Sequence, residues 1–171
     1  IGGVSMSLGS PIEVAAKVAQ LDQLLNGRFV FGAGVGWVRE EFEVLNCPFQ
    51  ERGARTTEGL QIMKALWTQE LASFRGRFYQ FDQVHFGPKP ASRPHTPIWV
   101  GGNTQGAFKR VAMVGDGWHP FRLSPAEVQK ALKGEGGYAI DLSVLDAVVN
   151  DLSNQIVNKF AECTRYTKTQ V

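Results

Sequence analysis

Apolar positions recur at helical spacing after Ser10. Val14, Val18, Leu21 and Leu25 fall on one face, and Gly27 stands where the chain can leave the helix in a left-handed turn. Ser10-Pro11-Ile12-Glu13 opens that helix with the residues of a capping box: serine at the cap, proline in the first turn, glutamate three places on. Before it, residues 1–6 read as a short strand containing glycine. After it, residues 28–32 read as a continuous apolar strand, the kind buried on both sides in a parallel sheet. Strand, helix, strand in that order predicts an α/β architecture.

The alternation continues along the chain. A helix is expected over residues 38–45, a break at Pro48, and a longer helix over 51–67 with Leu60, Met63 and Trp67 on its apolar side. Residues 74–86 are aromatic, alternating and punctuated by glycine, which predicts a small inserted hairpin. Pro88, Pro90, Pro94 and Pro97 make the next stretch a stiff connector. Ile98-Trp99-Val100 reads as a short buried strand closed by Gly101-Gly102, followed by a helix over 104–114 and a strand over 117–121. Ser124-Pro125-Ala126-Glu127 repeats the capping-box start. After a flexible break at 133–137, residues 142–160 form an amphipathic pattern with Leu145, Val149, Leu152, Ile156 and Phe160 on one stripe. These are about four strand–helix units with a small hairpin and a C-terminal helix. A TIM (β/α)8 barrel takes eight units and roughly 250 residues, so the pattern predicts a partial barrel. These units fall within residues 1–132, and a further helix and polar tail are expected over residues 133–171.

Composition narrows the function classes. A net charge of +2, with the basic residues dispersed, indicates neither nucleic acid nor an anionic membrane as partner. Cys47 and Cys163 match no metal-ligand or redox spacing, so no metal site is expected, and two free thiols suit a reducing cytosol. No apolar run approaches the roughly 20 residues needed to span a bilayer, and no signal-peptide pattern is present. The expected location is cytoplasmic.

Candidate chemistry gathers at glycine-rich strand ends. Gly32-Ala33-Gly34-Val35-Gly36 fails as a dinucleotide fingerprint: the third glycine would have to be Trp37, and Arg52 and Gly53 stand where the ribose-binding acid is needed. The run suits a strand end that lets a flat ring or a phosphate approach the backbone, or a tight turn alone. Gly101-Gly102-Asn103-Thr104 joins a strand to a helix start whose free N–H groups suit an anion. Ser124, with Arg122 nearby, is a third such site. His85 and His95 fall in the hairpin and the connector, where a solvated role is expected. His119 follows Gly117-Trp118 at a strand end and suits a site role or a structural one. Glu40 and Glu41 are solvated-face charges, one of which could turn toward the strand ends. No nucleophile–base pair stands out.

Several segments together resemble the luciferase-like family of flavin and deazaflavin oxidoreductases. They are Leu21-Asp22 with Asn26-Gly27-Arg28, the run Gly34 to Phe42, the run Pro48 to Arg55, Leu66-Trp67, Gly76-Arg77-Phe78-Tyr79, Pro88-Lys89-Pro90, Pro97 to Gly102, and Gly115-Asp116-Gly117-Trp118. They cover roughly residues 1–132. The resemblance implies a TIM barrel with coenzyme F420 or FMN at the strand C-termini, and the Gly-Trp-x-x-Glu-Glu-Phe pattern is more similar to the deazaflavin-using branch. It also implies a non-prolyl cis peptide near Gly3-Val4 behind the ring, and a loop Gly36, Trp37 to Glu40 lining that ring. Gly101, Gly102, Asn103 and Thr104 would touch the ribityl or phosphate part, continued by Trp118, His119, Arg122 and Ser124.

The implied reaction is hydride transfer between coenzyme and a small organic substrate, with the protein positioning and tuning the ring. Two barrel units are expected before Ile1, and no resemblance extends past Leu132. An open half barrel leaves strand edges unpaired, so a homodimer and weak or absent activity of the chain alone are expected. The competing reading is a non-catalytic scaffold or interaction protein derived from a half barrel.

Overall fold

The structure, a computed structural model, describes residues 2–132; the expected break at 133–137 and helix at 142–160 lie outside the described residues. The chain divides into two compact units, Ile1–Phe121 and Arg122–Val171.

The first unit is built on a parallel sheet. Strands β1 (Gly2–Ser5), β2 (Phe31–Gly34), β5 (Ile98–Gly101) and β6 (Gly117–His119) pair in the order β1-β2-β5-β6. All three pairings are parallel. Helix α1 (Pro11–Leu24) links β1 to β2, and α4 (Gln105–Val114) links β5 to β6. Between β2 and β5 run α2 (Arg39–Val44), α3 (Arg52–Thr68) and an antiparallel hairpin, β3 (Leu71–Arg75) with β4 (Gln80–His85). Sequential parallel strands with intervening helices are the arrangement of one arc of a (β/α)8 barrel.

Expected boundaries and observed ones differ instructively. Strand β2 begins at Phe31, not Arg28, because the Arg28 N–H still bonds the Leu25 carbonyl in the turn after α1. Pairing starts where the Phe31 N–H meets the Pro97 carbonyl at 2.9 Å. The hairpin begins at Leu71, three residues earlier than its aromatic pattern shows.

The buried face of α1 is Pro11, Ala15, Val18, Ala19 and Asp22, while Leu21 and Leu25 are 43% and 39% exposed. Small side chains win because α1 lies close against α3. A Cβ on Gly59 would sit 3.3 Å from the Met6 methyl and 3.5 Å from Pro11 Cβ, and the Trp67 indole N–H donates to the Ala15 carbonyl. Helix α3 is the centre of the core, with Leu60, Ile62, Met63, Leu66 and Trp67 all but sealed from solvent.

Charged groups pin the irregular segments. Asp22 is fully buried, and its carboxylate accepts from the Ser92 N–H at 2.7 Å and the Ser92 hydroxyl at 3.0 Å, fastening the proline connector to α1. Asp116 accepts from the Ile98 N–H at 2.9 Å and pairs with Lys64 at 3.3 Å, at the N-terminal edge of β5 and β6. His95 is not solvated as expected: its side chain is 10% exposed, stacks on Trp67, and places Nδ1 3.7 Å from Asp116. A proline-rich connector reads as surface, yet this one crosses the end of the sheet. His85 is exposed, as expected.

The two capping-box sequences behave differently. At Ser124, which opens α5 (Pro125–Leu132) in the second unit, the Glu127 carboxylate accepts from the Ser124 N–H at 2.7 Å and its hydroxyl at 2.6 Å. At Ser10 the side chain makes no capping bond, and Glu13 faces Lys17 at 3.8 Å instead. The four-residue motif permits the box; it does not compel it.

Candidate functional site

Residues in register across parallel strands share one face of a sheet. One row runs Gly3, Gly32, Trp99, Gly117, and the row nearer the strand C-termini runs Ser5, Gly34, Gly101, His119. The intervening row holds Ala33 and Val100, both buried, and Trp118, whose indole meets buried Phe108 of α4 edge-on. Val4, the fourth member of that row on the edge strand β1, is 43% exposed; the other three pack under the helices, so the two glycine-rich rows face the opposite side.

Barrel interiors are normally filled by branched apolar side chains in layers. Here five of the eight positions in the two rows are glycine. They leave a hollow of about 340 Å³ at the strand C-terminal ends, with Ser5, Gly32, Gly34, Trp99, Gly101 and His119 on its wall. This lies within the roughly 300–1,000 Å³ usual for small-molecule sites. Trp99 is the one large side chain in the rows, and it fits because its neighbour is small. A Cβ on Gly117 would stand 2.7 Å from the indole ring.

The rim is shaped by backbone conformations that favour glycine. Gly36 has φ +77°, and a Cβ there would lie 2.9 Å from the Phe42 ring and 3.4 Å from the Ser5 hydroxyl. Gly102 has φ +118°, turning the chain from β5 into α4. Thr104 then caps α4, its hydroxyl accepting from the Ala107 N–H at 3.2 Å.

Of the residues singled out from sequence, Val4, Gly101 and His119 line the hollow, and Gly3 lies in its first row. Gly36, Gly102 and Thr104 stand on the loops just beyond the strand ends. Trp37 is 82% exposed and Glu40 is exposed in the first turn of α2; neither is on the hollow's wall. Trp118 turns its indole to the helix side and donates to the Gly102 carbonyl at 2.7 Å, bracing the loop from behind. Asn103 spends its amide on the backbone of Phe121. Arg122, at φ +54°, and Ser124 belong to the second unit. There the Ser124 N–H and hydroxyl are already held by Glu127, whose pKa is lowered by the Ser124 hydroxyl first and the Ser124 N–H second. Among the described residues the cis peptide bonds are Gly87-Pro88 and Arg93-Pro94, both prolyl; the non-prolyl one expected near Gly3-Val4 is not among them.

Sequence reasoning missed Ser5 and Trp99. Trp99 was legible in principle: it sits between Ile98 and Val100, so if those are buried under helices, it must face the other way. It also left unmarked two buried charges. Glu58 is treated below; Arg110 on α4 donates to the Gly53 carbonyl at 2.9 Å and the Thr57 hydroxyl at 3.0 Å. Burial lowers the pKa of that guanidinium, and no carboxylate pairs with it among the described residues. Both join α3 to its neighbours and stand apart from the hollow. No helix among the described residues is long and apolar enough to cross a membrane.

Known proteins share this sequence and architecture. Residues 2–133 match the luciferase-like monooxygenase family. The chain is 35% identical over 113 residues to an FMNH2-dependent dimethylsulfone monooxygenase of Pseudomonas putida, covering 64% of this chain and 31% of that protein. It is 40% identical over 109 residues to an uncharacterized protein of Mycobacterium tuberculosis, covering 63% and 38% respectively. The chain thus spans about a third of the length of these relatives. Among solved structures, the monooxygenase RslO1 of Streptomyces bottropensis superposes with a TM-score of 0.69 at 28% identity, over 82% of this chain and 45% of that one. An F420-dependent secondary alcohol dehydrogenase shares the fold, with a TM-score of 0.61 at 22% identity over 82% and 40% of the two chains. A glycine-lined hollow at the ends of sequential parallel strands and a match over residues 2–133 agree: the chain belongs to the luciferase-like monooxygenase family.

Proposed function

We propose that this chain carries part of the coenzyme site of a flavin-dependent oxidoreductase acting on a small organic substrate. The observation that carries the reading is the pair of glycine-rich rows around the 340 Å³ hollow. Side chains at Gly32, Gly34 or Gly101 would fill the space a flat ring needs, so the residues present fit the group. Bound there, the coenzyme supplies the redox chemistry. The chain's own residues shape and orient: Trp99 walls the hollow, Gly36 holds the loop against Phe42, and Gly101, Gly102 and Thr104 offer backbone to the ribityl or phosphate part.

Trp37 and Glu40 belong to the ring side of this proposal, on the loop after Gly36. Ser124 leaves the phosphate set, because an anion there would have to displace the carboxylate of Glu127.

FMN is the leading coenzyme. The Gly36-Trp37 to Phe42 pattern favours deazaflavin, but the chain is 35% and 36% identical to two FMNH2-dependent monooxygenases and 28% identical to a third monooxygenase. Coenzyme F420 is the second reading, supported by that pattern. Parallel titration with FMN and F420 decides between them: tighter saturable binding of F420 would reverse the order.

A homodimer is proposed on separate grounds. Strand β1 is an edge of the sheet, and Ile12, Leu21 and Leu24 of α1 are exposed, Leu24 by 81%. Sedimentation across a concentration series tests this; a monomer at all concentrations contradicts it. The cytosol is the proposed compartment, from the spacing of Cys47 and Cys163.

A further inference from the structure

Backbone pairing between β5 and β6 runs through Trp99↔Gly117, Val100↔Trp118 and Gly101↔His119. It extends one bond further, the Gly102 N–H donating to the His119 carbonyl at 3.3 Å. There the backbone leaves the sheet, because Gly102 at φ +118° turns it toward α4. The ladder nevertheless gains another rung. The Asn103 amide oxygen accepts from the Phe121 N–H at 2.9 Å, and its NH2 donates to the Phe121 carbonyl. An asparagine amide carries the same donor and acceptor as a peptide group, so the side chain stands in for the departed backbone.

We infer that Asn103 is a positioning residue for the rim of the hollow and not a ligand of the coenzyme; this rests on the coenzyme reading above. Two observations support it. Both polar atoms of the amide are used on Phe121. The residues next to the clamp on these two strands, Gly101 and His119, both line the hollow, beside Trp99. Without the clamp the turn from β5 into α4 and the segment after β6 keep the Gly102–His119 and Trp118–Gly102 bonds but lose their outermost tie, where the hollow opens.

The test uses three versions of the chain: wild type, Asn103→Ala and Asn103→Asp. The dissociation constant for FMN is measured by fluorescence quenching at pH 7 and pH 4, with folding followed by circular dichroism. Affinities are expressed relative to wild type at the same pH. Asn103→Ala should weaken FMN roughly tenfold at both pH values, the scale of one or two lost hydrogen bonds. Asn103→Asp at pH 7 presents a carboxylate to the Phe121 carbonyl and should bind as weakly. At pH 4, close to the ordinary aspartate pKa of about 3.9, it should recover part of the loss, because a protonated carboxyl regains one donor beside its acceptor. A group with a purely structural role would lower the melting temperature and leave these affinities alone. Wild-type affinity in folded Asn103→Ala, or no pH-dependent recovery in Asn103→Asp, overturns the inference while leaving the coenzyme reading intact. A wild-type chain that binds neither FMN nor F420 overturns the coenzyme reading and the inference with it.

Discussion

A methyl group on Gly76 would fall on the carboxylate of Glu58, whose oxygens already take three backbone N–H groups of the hairpin turn. Arg77 donates at 3.0 Å, Phe78 at 2.8 Å and Tyr79 at 2.7 Å. Glu58 is buried on α3, and the turn between β3 and β4 is folded around it. The hairpin turn is thus held to α3 by the Glu58 carboxylate, with the Arg77–Glu51 pair at 2.9 Å beside it.

Removing that carboxylate should loosen the hairpin without touching the hollow. Glu58→Ala is expected to destabilise the chain by about 2–4 kcal/mol, since hydrogen bonds to a charged group are worth roughly 1.5–3 kcal/mol and buried donors are left unpaired. Gly76→Ala should cost a comparable amount by displacing the same group. Denaturant melts check both; FMN affinity in the folded variants should stay within twofold of wild type. A Glu58→Ala chain as stable as wild type would refute this attachment.

Gly117→Ala probes the hollow from its floor. The new methyl meets the Trp99 indole, and the ring must tilt into the space assigned to the coenzyme. Overpacking of this kind costs about 1–3 kcal/mol, and FMN affinity should fall by about tenfold or more. Unchanged affinity with unchanged stability would show that Trp99 does not border the binding space.

The two Ser-Pro-x-Glu sequences make a matched pair. Ser124→Ala should destabilise α5 by about 1 kcal/mol, the usual cost of losing an N-cap, and Ser10→Ala should change α1 little, because Ser10 makes no capping bond. Hydrogen exchange in the two helices distinguishes them. Equal effects at both sites would contradict the observed difference.

The same box predicts a pH dependence. The Glu127 pKa is lowered from its ordinary 4.5 by the Ser124 hydroxyl, then by the Ser124 N–H. A depressed carboxylate pKa means stability that is present above the unfolded value and lost as pH falls through the folded one. Local opening at the start of α5 should therefore rise as pH drops below 4.5, and Glu127→Gln should abolish that rise. Hydrogen exchange between pH 6 and pH 3 measures it. Identical profiles for the two chains would remove Glu127 from this role.

How much of this was legible in the sequence follows from what each signal measures. Helical spacing and glycine-punctuated strands gave the order of elements, because both arise within a few residues. The buried face of α1 differs from its hydrophobic pattern, in which Leu21 and Leu25 outweigh Ala15 and Ala19, because α1 lies close against α3, where the Trp67 indole reaches the Ala15 carbonyl. His95 was taken for a surface residue because its contacts with Trp67 and Asp116 come from distant positions in the chain. Glycine at the strand ends announced close approach of something flat. The strand register, which no local pattern contains, assembled those glycines into two adjacent rows and placed Trp99 among them.

The central claim is that the hollow at the strand ends takes a flavin, and titration of the chain with FMN tests it most directly. The account predicts saturable one-to-one quenching of FMN fluorescence at micromolar concentrations, weakened in Gly117→Ala and preserved in Glu58→Ala. A folded chain that binds neither FMN nor F420 would contradict it.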